Sequence, residues 1–220
     1  MLRSLTSLPK SDLSVRRQRI VNGVTLLELM VTVAIVAILG ALAAPSFQAM
    51  IQANRTRTVA SELMDMLNLA RSEAARRGQP VSVCPSSDGN SCSSTGTGWD
   101  SGWIAFVNEN HASASVNEKK SPIRDQDEQL LQVRRSLPAG VTVRPNGNFT
   151  NGITFLRTGL VWGPATGTFA ICAGTETDLK KRQPQAIVVI ATRAVLATDS
   201  NGDGIPEKGD EGNLQSCENP

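Results

Sequence analysis

Between Val24 and Ala44 the chain runs for 21 residues with one charged side chain, Glu28. At about 1.5 Å per residue, a helix of that length crosses roughly the 30 Å hydrocarbon core of a bilayer. Such a run belongs in lipid or packed against other apolar helices, and a fold for the rest of the chain has to be hung from it. Five basic residues (Arg3, Lys10, Arg16, Arg17, Arg19) and one acid, Asp12, precede it. Of 22 basic and 20 acidic residues in the whole chain, the part after Gly23 therefore keeps a net charge of −2. The chain has a basic head, an apolar neck and a weakly acidic body. Arg16, Arg17 and Arg19 beside the neck predict a cytoplasmic N-terminus and an exported body.

Three kinds of segment share this outline: a plain single-pass anchor, a secretory signal peptide with Ala41-Leu42-Ala43 as its cleavage site, and a leader cut before the apolar run instead of after it. Glu28 decides among them. A carboxylate near the middle of a membrane helix costs about 2.5–3.5 kcal/mol on insertion scales, less towards the interface, and neither an anchor nor a signal peptide gains from it. A cut after Gly23 would create an α-amino group on Val24, cationic near neutral pH and one helical turn from Glu28. Amine and carboxylate can then neutralise each other within or between packed helices and fix their axial register, which makes Glu28 an assembly residue.

Gly23-Val24-Thr25-Leu26-Leu27-Glu28 resembles the type IV pilin signature, a glycine, a cut, and glutamate as the fifth residue of the mature chain, with Val24 where Phe or Met is more usual. The resemblance implies cleavage after Gly23 by a prepilin peptidase and N-methylation of Val24. Pro45 matches a position where pilin helices carry a kinking proline. The organisation expected is a basic leader 1–23 that is removed, a transmembrane or filament-core helix 24–44, an amphipathic helix spine 45–78, and a periplasmic or extracellular β domain 79–220.

The spine is legible by period. Val59, Leu63, Met66, Leu67, Ala70 and Ala74 fall on one helical stripe, Arg76 and Arg77 suit the negative end of the helix dipole, Gly78 is a C′ cap and Pro80 forbids continuation. The reading is one helix over 24–77. Short β-branched and apolar runs follow at 81–84, 103–107, 129–137, 141–145, 153–157, 168–173 and 186–198, separated by Gly, Asn and Pro breakers. No crossover is long enough for a helix, so the fold class is α+β, a long N-terminal helix packed on antiparallel sheet. The order resembles the GspH/FimT family of minor pilins and pseudopilins, with a Cys soon after the helix, a Gly-Trp-x-x-Phe-x-Asn segment (102–108) and a Leu-Pro-x-Gly-Val segment (137–141). That resemblance implies a structural subunit that helps initiate a type IV pilus serving motility, adhesion or DNA uptake. The alternatives are a minor pseudopilin of a type II secretion system and a DNA-binding uptake pilin. It implies as partners other pilins through the N-terminal helix, prepilin peptidase and the inner-membrane assembly platform, with the chain first in the bacterial inner membrane.

Cys84, Cys92, Cys172 and Cys217 all lie in the exported part, and four cysteines allow three connectivities. The expected pairs are Cys84–Cys92, closing a short Ser/Gly-rich loop, and Cys172–Cys217, tying the tail to the sheet. Zinc is poorly served by a chain with one histidine, His111, and no C-x-x-C pair. Asp199, Asn201, Asp203, Ile205 (by its carbonyl) and Asp210 stand at EF-hand-like spacing for Ca²⁺, against the plainer reading of a Gly/Asp-rich turn. Some members of the FimT branch bind DNA through a Gly-Arg-x-Arg stretch. The corresponding Thr192-Arg193-Ala194-Val195 keeps one arginine, and the Lys180-Lys181-Arg182 turn offers further phosphate contacts, or is simply an exposed basic loop. The chain shows no Ser/His/Asp arrangement, P-loop or H-E-x-x-H, so the expectation is no enzymatic activity. Asp125, Asp127 and Glu128 read as solvated loop charges.

Overall fold

The structure is a computed structural model that describes residues 23–93, 98–109, 122–164, 166–208, 212–218 and 220. The chain divides into two compact units, the first ending at Ala44 and the second running from Pro45 to Pro220. One helix, α1 (Leu26–Arg77), begins in the first and ends in the second. In the first unit its residues are long and apolar enough to cross a membrane, and none of that stretch is buried.

In the second unit α1 behaves as its period demands. All six residues of the expected stripe are buried, joined by Thr56 and Ala60. Thr56 joins an apolar face without penalty because its hydroxyl donates to the Ala53 carbonyl at 3.1 Å. Gly78 closes the helix with φ of 66° and its N–H donating to Ala74 O at 3.0 Å, while Arg76 and Arg77 both grip Glu73.

Eight strands follow: β1 (Val81–Pro85), β2 (Trp103–Val107), β3 (Leu130–Arg134), β4 (Val141–Pro145), β5 (Ile153–Phe155), β6 (Thr166–Ala173), β7 (Gln185–Ile190) and β8 (Arg193–Leu196). They form two four-stranded sheets, in orders β3-β2-β1-β5 and β4-β6-β7-β8, and every pair is antiparallel. The apolar run 186–198, expected as one strand, is a hairpin. Ala191 takes φ of 42° and the chain folds back so that Ile190 faces Arg193. The turn carries no Gly or Asn at its centre, which is why the sequence did not announce it.

Helix and both sheets share one core. Leu63, Met66 and Leu67 meet Val81, Val83, Trp103 and Ala105 of the first sheet and Val143, Phe169, Ile171 and Ile187 of the second. Each of the larger aliphatic and phenylalanine side chains contributes about 1.5–3 kcal/mol by leaving water. Trp99, in a 3₁₀ turn at Gly98–Ser101, fills the centre, its ring 5.0 Å edge-on from Phe169 and its indole N–H donating to Thr150 O at 3.0 Å.

Candidate assembly site

At the start of α1, Gly23, Val24 and Thr25 are exposed and not yet helical. Among the described residues nothing comes within 4 Å of the space a Gly23 side chain would occupy, and the Gly23–Val24 bond lies just ahead of the first turn of α1. Thr25 caps that turn. Its Oγ1 accepts from Glu28 N at 3.2 Å and its carbonyl accepts from Leu29 N at 3.1 Å. Thr25-x-x-Glu28 is thus half of a capping box, and the negative side chain in the first turn also complements the positive end of the helix. Glu28 therefore has a local reason to exist besides assembly. The reciprocal bond of a full box is not made, however, and the Glu28 carboxylate has no hydrogen bond or ion pair with any described residue. The other hydroxyl of the run, Thr32, is satisfied by Leu29 O at 2.8 Å. Pro45 lies inside α1, where it has no N–H for the Ala41 carbonyl.

The structure joins Cys84 to Cys92 and Cys172 to Cys217, with Cα atoms 5.6 and 6.1 Å apart. In the first loop Asp88 accepts from Ser91 Oγ, Asn90 N, Ser91 N and Ser86 Oγ, and these bonds, led by the Ser91 hydroxyl, push its pKa below the ordinary carboxylate range. The second bridge carries the tail across the outer face of β6, where Leu214 and Cys217 pack on Ala170 and Cys172.

The tail changes the reading of the basic turn. Lys180 and Lys181 are exposed, but Arg182 is only 8% exposed and its guanidinium pairs with Glu218 at 3.2 Å. Arg144 reaches the same carboxylate at 3.4 Å and Asp100 at 2.6 Å. Arg182 is thus a structural cation held by the disulfide-anchored tail and not one of a trio facing solvent. Arg193 is exposed at the start of β8.

In the Asp199 loop the carboxylate of Asp199 accepts from the N–H groups of Gly202, Asp203 and Gly204, and that of Asp203 from Ile205 N and Asn213 Nδ2. Asn201 Oδ1 accepts from Asp203 N. Asp210 lies outside the described residues, as does His111. No group of three or more His, Cys, Asp or Glu among the described residues is arranged to hold a metal.

Two readings of polar residues need correction or completion. Glu128 is 5% exposed, not a solvated loop charge; its two oxygens accept from Glu109 N at 2.8 Å and Asp125 N at 3.0 Å, stitching the flanks of the β2–β3 connection. Asn108, the last residue of the Gly-Trp-x-x-Phe-x-Asn segment, is 2% exposed and donates to Ser82 Oγ at 2.9 Å, which shares a 2.7 Å bond with Thr154 Oγ1. The segment's first residue is equally constrained. Gly102 has φ of 114°, and a Cβ there would lie 2.2 Å from Arg134 O. In this chain the glycine admits the close approach of Arg134 O and the asparagine completes a buried hydroxyl network.

Residues 59–192, from the buried spine to the β7–β8 hairpin, match the family model described as type II transport protein GspH. The chain belongs to the GspH family. Residues 19–44 match the prokaryotic N-terminal methylation motif, which brackets Gly23, Val24 and Glu28 and fits an inner-membrane-anchored pilin. Among solved structures, this GspH-family chain is similar to the type IV minor pilin FimU of Pseudomonas aeruginosa PAO1. In one crystal form the identity is 25%, covering 74% of this chain and 96% of FimU at a TM-score of 0.49; in another it is 24%, covering 73% and 98% at 0.47. It is also similar to the minor pseudopilin EpsH of the type 2 secretion system of Vibrio cholerae, at 14% identity, 66% and 98% coverage and a TM-score of 0.42. A search of curated proteins returned no match.

Proposed function

We propose that this GspH-family chain is a minor subunit that assembles through its N-terminal helix into a type IV pilus and helps to initiate it, after cleavage following Gly23 and N-methylation of Val24. The observation that carries the reading is Glu28, a carboxylate with no partner among the described residues, in the first turn of the apolar stretch of α1 and five positions after an exposed glycine. A new amine on Val24 is the partner whose position the sequence supplies, either from the same chain or from a neighbouring one. Other pilins in the filament, prepilin peptidase and an inner-membrane assembly platform are the partners this reading requires. A second reading, a minor pseudopilin of a type II secretion system, is favoured by the description of the matched family model.

The experiment is the intact mass and N-terminal sequence of the protein recovered from membranes of a host with prepilin peptidase. A chain starting at Val24 with one added methyl is expected. A chain starting at Ala44, or an uncut one, refutes the processing and leaves Glu28 to its capping role. Deleting the gene in its own host separates the machines: loss of surface filaments marks the pilus, retention of exported proteins inside the cell marks secretion.

A further inference from the structure

Charge is laid out in blocks along the exported domain. Residues 129–175 contain no acid, whereas 199–218 contain Asp199, Asp203, Glu207, Asp210, Glu211 and Glu218 against one lysine, Lys208. The tail of the acidic block, with Glu218, comes back onto Arg144 and β6, but two exposed parts of these blocks lie at opposite ends of the second sheet. The turn after β5 is tight, with Leu156 N donating to Leu160 O at 2.8 Å, and it is tied to the β7–β8 hairpin by Val161 N donating to Ala191 O at 2.8 Å. Arg157 sits on that turn and Arg193 on that hairpin, both exposed. The same turn lies on α1, where Asn68, Arg71, Ser72 and Ala75 line a groove of about 350 Å³ with Thr158 and Gly159. None of the three arginines pairs with a carboxylate among the described residues, and Asp65 is the one acid on α1 between Leu63 and Ser72.

The acidic loop lies at the other end of the same sheet. Ala197, just beyond β8, is bonded to Ala186 near the start of β7, and Asp199 and Gly204 line a groove with Arg57 of α1. Arg57 and Arg71 are 14 residues apart, about 21 Å along the helix. Glu207 is held ionised by the Ser200 and Asn201 N–H groups and the Ser200 hydroxyl, the Ser200 N–H first, which lower its pKa.

We propose that the basic end (Arg71, Arg157, Arg193) docks the acidic Asp199–Glu207 loop of a second copy of this chain shifted along the helix axis. The proposal rests on the filament reading above. Two different patches that complement each other on one molecule make a head-to-tail contact, the kind that propagates along an axis instead of closing a dimer. The match is between two patches and not between whole ends, since Arg57 and the turn bearing Lys180 and Lys181 lie close to the acidic loop; the carboxylates of that loop suit the three arginines, whereas two copies of the arginine patch would repel each other. Nucleic acid is the less fitting occupant: Trp99, Trp103 and Trp162 are all buried and offer no stacking surface, and the acidic loop repels a polyanion.

The test uses the full-length chain in membranes of a host with prepilin peptidase, expressed as two tagged copies, one Thr158→Cys and the other Asn201→Cys, treated with a bis-maleimide. Crosslinked dimer is expected only when both cysteines are present. It should fall at least fivefold with R157E/R193E, or with D199N/D203N/E207Q, which removes the charge of the loop while leaving each residue one of its two oxygen acceptors. It should also fall in about 1 M salt, where the screening length is near 3 Å. Thermal unfolding of each variant checks that the fold is intact. A parallel Ile38→Cys pair reports association through the apolar helix. Helix crosslinks without the 158–201 crosslink overturn the docking and leave the filament reading standing; absence of both overturns the filament reading itself. Low-salt binding of a fluorescent DNA duplex that R157E/R193E abolishes, with the 158–201 crosslink missing, assigns the patch to nucleic acid and overturns the proposal.

Discussion

Glu28→Gln separates the two jobs that the first turn of α1 offers a glutamate. Gln can take the third position of a capping box as Glu does, and the Thr25 hydroxyl still accepts from the backbone N–H of the substituted residue, so the helix start survives. The substitution loses a dipole interaction of about 0.3–1 kcal/mol but spares the insertion cost of a carboxylate, so membrane levels of the monomer should match or exceed wild type. Assembly should respond differently. With Val24 as N-terminus, a filament would bury an amine whose only nearby counter-charge has gone, and leaving one partner of a buried pair costs about 3–5 kcal/mol. At 1.4 kcal/mol per factor of ten, incorporation falls by about two to three and a half orders of magnitude. Thr25→Ala is the converse control. It removes the cap, worth about 1 kcal/mol, and leaves the charge, so it should lower incorporation by no more than about tenfold. The assay is immunoblotting of sheared filaments against whole membranes, normalised to the monomer in each strain. If E28Q is incorporated within threefold of wild type while T25A is not, the charge-neutralisation argument is wrong and Glu28 is there to cap the helix.

The domain supports three further tests. Asn108→Leu leaves the Ser82 and Thr154 hydroxyls without their third member, and should cost about 2–3 kcal/mol, or a Tm lowered by roughly 4–12 °C; adding Ser82→Ala and Thr154→Val should recover part of that, and strict additivity in urea denaturation would show that the three do not act as a network. Gly102→Ala drives a Cβ into Arg134 O and forces apart β2 and β3, with an expected loss of about 2–5 kcal/mol; a Tm within 2 °C of wild type contradicts the geometry. Hydrogen bonds from Arg76, then Arg77, lower the Glu73 pKa from 4.5 to about 2. A folded pKa below the unfolded one means that this stabilisation is present above about pH 4.5 and lost as pH falls towards 2, so the protection of amides in the last turn of α1, relative to their intrinsic exchange at each pH, should fall over that interval in wild type and hold steady in Glu73→Gln.

What could be read in the sequence was whatever repeats with a local period. The stripe from Val59 to Ala74 is buried because residues three and four apart must share a helix face, and the strands at 81–85, 103–107 and 141–145 follow from β-branched runs between turn residues. Features that depend on distant chain were not legible. Arg182 looked like its neighbours Lys180 and Lys181, and only the tail brought back by Cys217 gives it Glu218. Glu128 is buried because two loops offer it N–H groups from either side. The hairpin at Ala191 was hidden because the turn uses residues that also suit a strand. The capping box was written in plain view as Thr25-x-x-Glu28, but an unusual carboxylate in an apolar run draws attention to its cost and away from its local hydrogen bond.

That capping bond sharpens the case for assembly. Thr25 and Thr32 each turn their hydroxyl onto nearby backbone, so both side-chain hydroxyls of the apolar run have a partner within the helix. The carboxylate of Glu28 is the exception, although its own N–H is capped. A helix start that needed only a cap would be served by Thr25 followed by an apolar residue at position 28, with no charge to bury. A start that needs a charge at a fixed height requires both, because the cap sets where the first turn begins and so fixes the axial position of Glu28. On this argument Thr25 sets the register and Glu28 reads it, and sliding the acid by one turn, in E28L/T32E, should block incorporation even though the helix keeps the same net charge. Incorporation of that variant at the wild-type level would mean that a charge anywhere in the first two turns is enough.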